Sequence, residues 1–332
     1  MGNRKFVFGI IEKSGEVKMK KIGFIFPGQG AQAVGMGKDI YDNYESGRKV
    51  YDLADKVLGR SISSICFEGP EEDLKLTKNT QPAIVTTSIA LLEVFKELTN
   101  ITPDYTAGHS LGEYCAMHTA GVMDLETTLK LIQKRADLMG ETKGGAMAAV
   151  LNATEEQLKA GLEAGSKVGY VDVANYNSPA QVVITGDENA VKMTSDYLLG
   201  NGVRRVVPLA VSGAFHSKYM ENAGSKFSNY LADFELNNAQ IPVITNVDAN
   251  ETLSADEFKI KMPKQIHSSV YWTQTIEKMI ANGVNTFVEI GPGKVLAGLN
   301  KKIDPETTTY NVYDLESLKV SANALKEEMV KL

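Results

Sequence analysis

Cysteine is nearly absent: Cys66 and Cys115 are the only two in 332 residues, too few for a disulfide framework and in no C-x-x-C pair. Histidine is almost as scarce, with His109, His118, His216 and His267 the full set and no H-E-x-x-H among them. These shortages argue against a zinc enzyme, and no metal site is expected. An excess of positive charge is missing too. With 35 Lys+Arg against 41 Asp+Glu the net charge is −6, the wrong balance for a nucleic-acid-binding surface. No apolar run approaches the ~18 residues of a membrane helix. Phe6–Ile11 stops at Glu12 and Lys13, too early for a signal-peptide core. Met1-Gly2 lacks the Ser or Thr at position six that myristoylation wants, since Phe6 stands there. These absences predict a cytoplasmic protein with no membrane attachment. Residues 1–18 read as an N-terminal extension ahead of a second possible start, Met19.

What is present is globular: 43% apolar and 23% charged residues can bury a sizeable core. The length suits one large domain, or a main domain carrying a smaller one. Ile22–Phe26 reads as a strand closed by Pro27-Gly28-Gln29-Gly30, and Lys38–Leu58 as helical. Ala83–Leu98 carries Ile84, Ile89, Leu92 and Phe95 at helical spacing and predicts a buried helix. Tyr105–Ala107 predicts a short strand, and Leu125–Met139 a helix with Asp124 as N-cap. Between Ala146 and Val211 the pattern changes to β-α-β-β-α-β, the ferredoxin-like order. The expected elements there are Ala146–Leu151, Thr154–Ala164, Val171–Ala174, Gln181–Thr185, Glu188–Leu199 and Val203–Val211. Strand–helix alternation then resumes through Val243–Asn246, Ile276–Ala281 and Phe287–Ile290. The expected organisation is a main α/β core of residues 19–145 and 212–332, interrupted by a small subdomain at 146–211.

Gly108-His109-Ser110-Leu111-Gly112 matches the G-x-S-x-G nucleophile elbow. The chemistry needs small residues there because a strand must turn sharply into a helix and leave the serine Oγ exposed. The helix N-terminus then aims backbone N–H groups at an oxyanion. The motif follows a predicted strand and opens a predicted helix, so Ser110 is the candidate nucleophile. It needs a base. His109 adjoins it in the turn, and His118 lies about 12 Å down the helix at 1.5 Å per residue. Of the remaining two, His216 follows a predicted strand, where catalytic residues gather in α/β sheets, and is preferred to His267. On the helical wheel of 125–139, Arg135 stands apart from the solvent-facing charges. Either its stem covers apolar surface while its head snorkels outward, or its guanidinium sits in a cleft to grip a carboxylate. Gly28-Gln29-Gly30-Ala31-Gln32-Ala33 contains G-x-G-x-x-A. The acidic strand end that a dinucleotide site requires about 20 residues on is replaced by a charged helical stretch. That loop instead offers a backbone N–H as the second half of an oxyanion hole.

Taken together, these residues resemble a known family. Gly28-Gln29-Gly30-Ala31-Gln32, Gly108-His109-Ser110-Leu111-Gly112-Glu113-Tyr114, Arg135, Asn175-Tyr176-Asn177-Ser178-Pro179, His216-Ser217 and Glu289-Ile290-Gly291-Pro292-Gly293 stand in the order seen in malonyl-coenzyme A:acyl carrier protein transacylases, from about Lys20 to about Lys302. The resemblance implies an α/β-hydrolase-like core with an inserted ferredoxin-like small subdomain. It implies Ser110 as the acylated nucleophile, His216 as its base and Arg135 as the holder of the malonyl carboxylate. Backbone N–H groups of Gln29 and Leu111 would form the oxyanion hole, and the Gln265 carbonyl would orient the histidine. Phe215 would narrow the acyl pocket and set specificity. The substrate would be malonyl-coenzyme A with no cofactor, and the partner an acyl carrier protein with its phosphopantetheine arm. Ser268-Ser269 replaces the Asn-Pro usual in fatty-acid-synthesis members, which resembles more the free-standing acyltransferases of modular polyketide synthases. Polyketide synthesis is therefore the expected pathway, with fatty acid synthesis the alternative. A serine hydrolase or thioesterase on the same core and a non-catalytic carrier-docking scaffold are the competing functions. Arg204, Arg205, Lys294, Lys301 and Lys302 could form a basic rim for an acidic carrier, or be scattered solvated charges.

Overall fold

The computed structural model describes residues 10–11, 17–18, 21–211 and 213–330. Most of the expected 1–18 extension, and Met19 and Ser212, lie outside the described residues. Two short strands, β1 (Ile10–Ile11) and β2 (Val17–Lys18), pair antiparallel. The main sheet starts with β3 (Lys21–Phe26) and β4 (Tyr105–Gly108). The chain then builds a second sheet from β5 (Ala146–Leu151), β6 (Val171–Ser178), β7 (Gln181–Gly186) and β8 (Arg205–Pro208). It returns to the first with β9 (Val243–Ile244), β10 (Glu251–Thr252), β11 (Val284–Ile290) and β12 (Thr308–Val312).

The main sheet runs in the order β10-β9-β4-β3-β11-β12, parallel except at the β10–β9 edge. β3 is apolar on both faces and buried from Ile22 onward, as a parallel strand covered on both sides requires. Phe26 pairs with Gly108, so β3 and β4 end side by side. The Gly28-Gln29 loop and the Ser110 turn therefore share one sheet edge, the carboxyl end where open α/β sheets bind ligands.

The small sheet runs β6-β7-β5-β8, all antiparallel, with helices Glu155–Gly165 and Glu188–Gly200 in the expected places. Its strand alternation divides two cores. Ala148, Val150 and Ile184 pack against Ala190, Val191 and Leu198 inside the subdomain. Met147, Ala149 and Val183 belong to the main cluster instead, together with Phe215. The fold is thus an α/β-hydrolase-like core with an inserted ferredoxin-like subdomain.

Some elements differ from the sequence expectation. Lys38–Leu58 is two helices, Lys38–Asn43 and Glu45–Leu58, because Tyr44 between them is extended. The buried helix runs Thr77–Thr99 and contains Pro82. Proline there removes the bond that Lys78 O would accept, and that carbonyl accepts from Arg60 Nη2 at 3.0 Å and Gln133 Nε2 at 3.2 Å instead. The strand expected over Val203–Val211 narrows to β8. β12 and the terminal helix Leu315–Val330 were not anticipated. Among the described residues no helix is long and apolar enough to cross a membrane.

Candidate active site

The serine turn is tight for a steric reason. A Cβ on Gly108 would collide with the Gly112 backbone, and one on Gly112 with the carbonyls of Phe26 and Pro27. Both glycines of G-x-S-x-G are therefore required by close approach. Between them Ser110 adopts φ 52°, a left-handed conformation costing a non-glycine residue about 1–3 kcal/mol. The chain then enters helix Gly112–Thr119.

His216, itself at φ 53°, places Nε2 2.8 Å from Ser110 Oγ. Its Nδ1 lies 3.0 Å from the Gln265 carbonyl and 3.1 Å from that of Ser268. Carbonyls only accept, so Nδ1 carries the proton and Nε2 presents its lone pair to the serine hydroxyl. Burial first, then the positive field of Arg135, lowers the His216 pKa to about 3 against the pull of its carbonyl partners. The imidazole is therefore neutral at physiological pH, as a base must be.

Arg135 comes from helix Leu125–Glu141 and is 1% exposed; it does not snorkel. Nη1 donates to Gln81 Oε1 at 2.6 Å, and Nη2 to Ser110 Oγ and Gln265 Oε1, both at 3.0 Å. Nε has no partner among the described residues. The guanidinium lies over the Tyr114 ring at 5.8 Å, and burial lowers its pKa. Its hydrogen-bond partners are neutral oxygens. A buried cation so arranged, beside the elbow serine, favours an incoming carboxylate.

The other expected residues lie around this centre. Leu111 is buried and directly precedes helix Gly112–Thr119. Gln29 is exposed in the loop after β3, beside the serine turn, where His109 N donates to Phe26 O at 2.9 Å. Phe215 is 6% exposed, and its carbonyl accepts from Thr185 Oγ1 of β7 at 3.0 Å. His109 turns away from the serine: its Nε2 bonds Asn177 Oδ1 at 2.8 Å. His118 Nδ1 bonds the Met123 carbonyl at 3.2 Å. Glu289 caps helix Val295–Ile303 through Leu296 N and Ala297 N.

Sequence reasoning missed four contributors. Gln81 anchors Arg135, and the Gln265 side chain bridges Arg135 to the Ser110 carbonyl at 2.8 Å. Asn246 binds the serine turn from behind, and the Glu113 carboxylate accepts from Asn246 N. Only Glu113 stood in a motif.

An elbow serine hydrogen-bonded to a neutral histidine and a buried guanidinium, on this fold, is an arrangement suited to acyl transfer. The chain belongs to the acyl transferase domain family, which matches residues 23–312. It is 44% identical over 314 residues to a Bacillus subtilis malonyl CoA-acyl carrier protein transacylase, covering 93% of this chain and 99% of that one. A crystal structure of the Clostridium perfringens malonyl CoA-acyl carrier protein transacylase superposes with TM-score 0.89 at 39% identity, covering 93% of this chain and 98% of that one. A structure of a malonyl-transacylase in complex with its type II PKS acyl-carrier protein superposes with TM-score 0.89 at 35% identity, covering 92% and 100%.

Proposed function

We propose that this acyltransferase moves a malonyl group from malonyl-coenzyme A to the phosphopantetheine thiol of an acyl carrier protein. The observation that carries the reading is Arg135, a buried guanidinium whose hydrogen bonds go to Gln81, Gln265 and Ser110. Malonyl brings the free carboxylate that acetyl lacks.

In the first half-reaction His216 Nε2 takes the Ser110 hydroxyl proton as Oγ bonds to the thioester carbonyl carbon. The oxyanion is held by the backbone N–H groups of Gln29 and Leu111. Collapse breaks the C–S bond, and the coenzyme A thiolate leaves with the proton from His216. In the second half-reaction His216 deprotonates the carrier thiol, which attacks the acyl-serine, and Ser110 recovers its proton. The Gln265 and Ser268 carbonyls hold the imidazole in one tautomer throughout, the task an acidic residue performs in other triads. The chemistry calls for no cofactor.

A carrier protein as acceptor is supported by the names of the relatives. Arg204, Arg205, Lys294, Lys301 and Lys302 are exposed and available to an acidic partner. On pathway, the Bacillus subtilis and Clostridium perfringens transacylases support the fatty acid alternative, and the type II PKS complex supports the polyketide setting expected from Ser268-Ser269; the balance of relatives favours the first. Those two serines have local tasks instead: Ser268 O receives His216 Nδ1, and Ser269 Oγ donates to Val173 O at 2.6 Å. The expected cytoplasmic setting is kept as part of this reading.

Mass spectrometry after mixing with malonyl-coenzyme A tests it. A malonyl adduct on Ser110, absent in Ser110→Ala, is expected. Rapid release of free malonate without transfer would make the protein a hydrolase, and no adduct a scaffold.

Phe215 sets the acyl preference in this reading. An added methyl must overlap the ring or displace it, at about 1–3 kcal/mol. Malonyl is expected to exceed methylmalonyl by roughly ten- to a hundredfold in kcat/KM, with Phe215→Ser relaxing the ratio. Indifference of the wild type in a competition assay would refute the assignment.

A further inference from the structure

The serine turn is gripped from behind by one side chain. Asn246, buried two residues beyond β9, accepts the Ser110 N–H on Oδ1 at 2.8 Å. Its Nδ2 donates to the Gly108 carbonyl, also at 2.8 Å. One amide therefore bonds both ends of the turn, on either side of His109. Its own backbone is held at both groups. Asn246 N donates to Glu113 Oε2 at 2.5 Å, and Asn246 O accepts from Tyr271 N at 3.0 Å. Gln265 Nε2 completes the enclosure, reaching Ser110 O at 2.8 Å and Asn246 Oδ1 at 3.4 Å.

A left-handed serine relaxes unless its neighbours over-determine it. Rotation of the Ser110 backbone would swing Oγ off His216 Nε2 and Arg135 Nη2 while leaving Arg135 and Gln81 in contact. We propose that Asn246 is a positioning residue for the acyl-transfer step, its amide locking the Ser110 turn in the reactive conformation, with the Glu113 carboxylate fixing Asn246 in turn. It acts through Ser110 and does not touch the acyl group. The proposal rests on Ser110 being the nucleophile of malonyl transfer.

A merely structural asparagine and a positioning one differ in what they move. Asn246→Ala leaves Arg135, Gln81 and Gln265 in place, so KM for malonyl-coenzyme A should change by less than about threefold while the rate of Ser110 acylation falls roughly tenfold or more. Asn246→Asp gives a second readout and serves where the alanine variant does not fold. Its carboxylate can still accept the Ser110 N–H, but only the protonated acid can donate to Gly108 O. The charged and titratable groups about it are Glu113, with Arg135 and Lys261 acting on that carboxylate, and His216 and His109 across the turn. Wild-type His216 stays neutral over this range; Glu113, raised by burial to about 7, titrates within it in both proteins, which is why the readout is the ratio to wild type and not the variant's activity alone. The activity of Asn246→Asp relative to wild type should therefore rise as the pH falls from 8 to 6.

The experiment is rapid-mixing acylation by malonyl-coenzyme A, read by mass spectrometry at Ser110. Wild type that takes no label at Ser110 overturns the functional reading itself. Wild type that labels, with Asn246→Ala labelling within threefold of its rate, overturns this inference alone. So does an Asn246→Asp to wild-type ratio that is constant across the pH range.

Discussion

Two groups with different needs meet at Ser110. His216 needs the hydroxyl proton to point toward it, and Arg135 needs an oxygen to receive its own N–H. One hydroxyl serves both by donating to Nε2 at 2.8 Å while accepting from Nη2 at 3.0 Å. In the proposed reaction the malonyl carboxylate would take over the guanidinium and free Oγ to attack. Arg135→Ala should therefore injure malonyl transfer far more than acetyl transfer. Leaving a carboxylate unpaired in a buried site costs about 2–5 kcal/mol, and each ~1.4 kcal/mol is a factor of ten. The check is kcat/KM for both donors; equal losses would make Arg135 purely structural. The turn at Ser110 was legible in the sequence because its close packing needs two glycines at fixed spacing. Asn246, Gln81 and the side-chain contacts of Gln265, of which only the carbonyl was expected to act, were not, because a buried amide at a strand end or in a helix carries no spacing signal. Their partners lie 136, 54 and 130 residues away along the chain.

Elements were readable where their signals are local. The Asp124 side chain accepts from Thr127 N as its position predicted, and Thr154 with Gln157 forms a capping box that starts the first subdomain helix. The break at Tyr44 and the tolerance of Pro82 depend on distant packing, and no local pattern announces them. The helix Val295–Ile303 depends on a residue outside itself, in the preceding strand. Its start has no side-chain cap of its own; Glu289, at the end of β11, supplies it instead. The carboxylate accepts Leu296 N at 2.9 Å and Ala297 N at 2.8 Å, with Asn311 Nδ2 at 2.8 Å. Burial raises its pKa to about 7 against those three donors. Glu289→Ala strands them, at about 3 kcal/mol or more in total by the ordinary cost of about 1–3 kcal/mol for each orphaned donor. Thermal unfolding should report this as a Tm lowered by several degrees. An unchanged Tm would mean that water replaces the carboxylate without loss.

At the scale of the molecule the question is whether the inserted subdomain is an independent unit. A unit on the order of 60 residues buries only about 60% of its unfolded surface and is marginal alone. This one also gives away half its sheet, since Met147, Ala149 and Val183 pack in the main cluster. Backbone pairing crosses the boundary as well. Val270 N donates to Ala174 O at 2.8 Å and Tyr176 N to Val270 O at 2.9 Å, which makes a parallel bridge between Asn175 and Val270. Tyr176 stacks on Tyr271 at 5.2 Å with 6° between the rings, and Asn177 holds His109 of the serine turn. Separating the two bodies would thus expose apolar sheet and break the support of the serine turn together. Scanning calorimetry should show one transition, with calorimetric and van't Hoff enthalpies in agreement, and malonyl labelling of Ser110 should vanish at the same temperature. Tyr271→Ala removes a stacked pair worth about 0.5–1.5 kcal/mol beyond its buried area, and should lower that single transition without splitting it. Two resolved transitions in the wild type, the lower one leaving labelling intact, would establish the subdomain as a separate folding unit and refute the coupling.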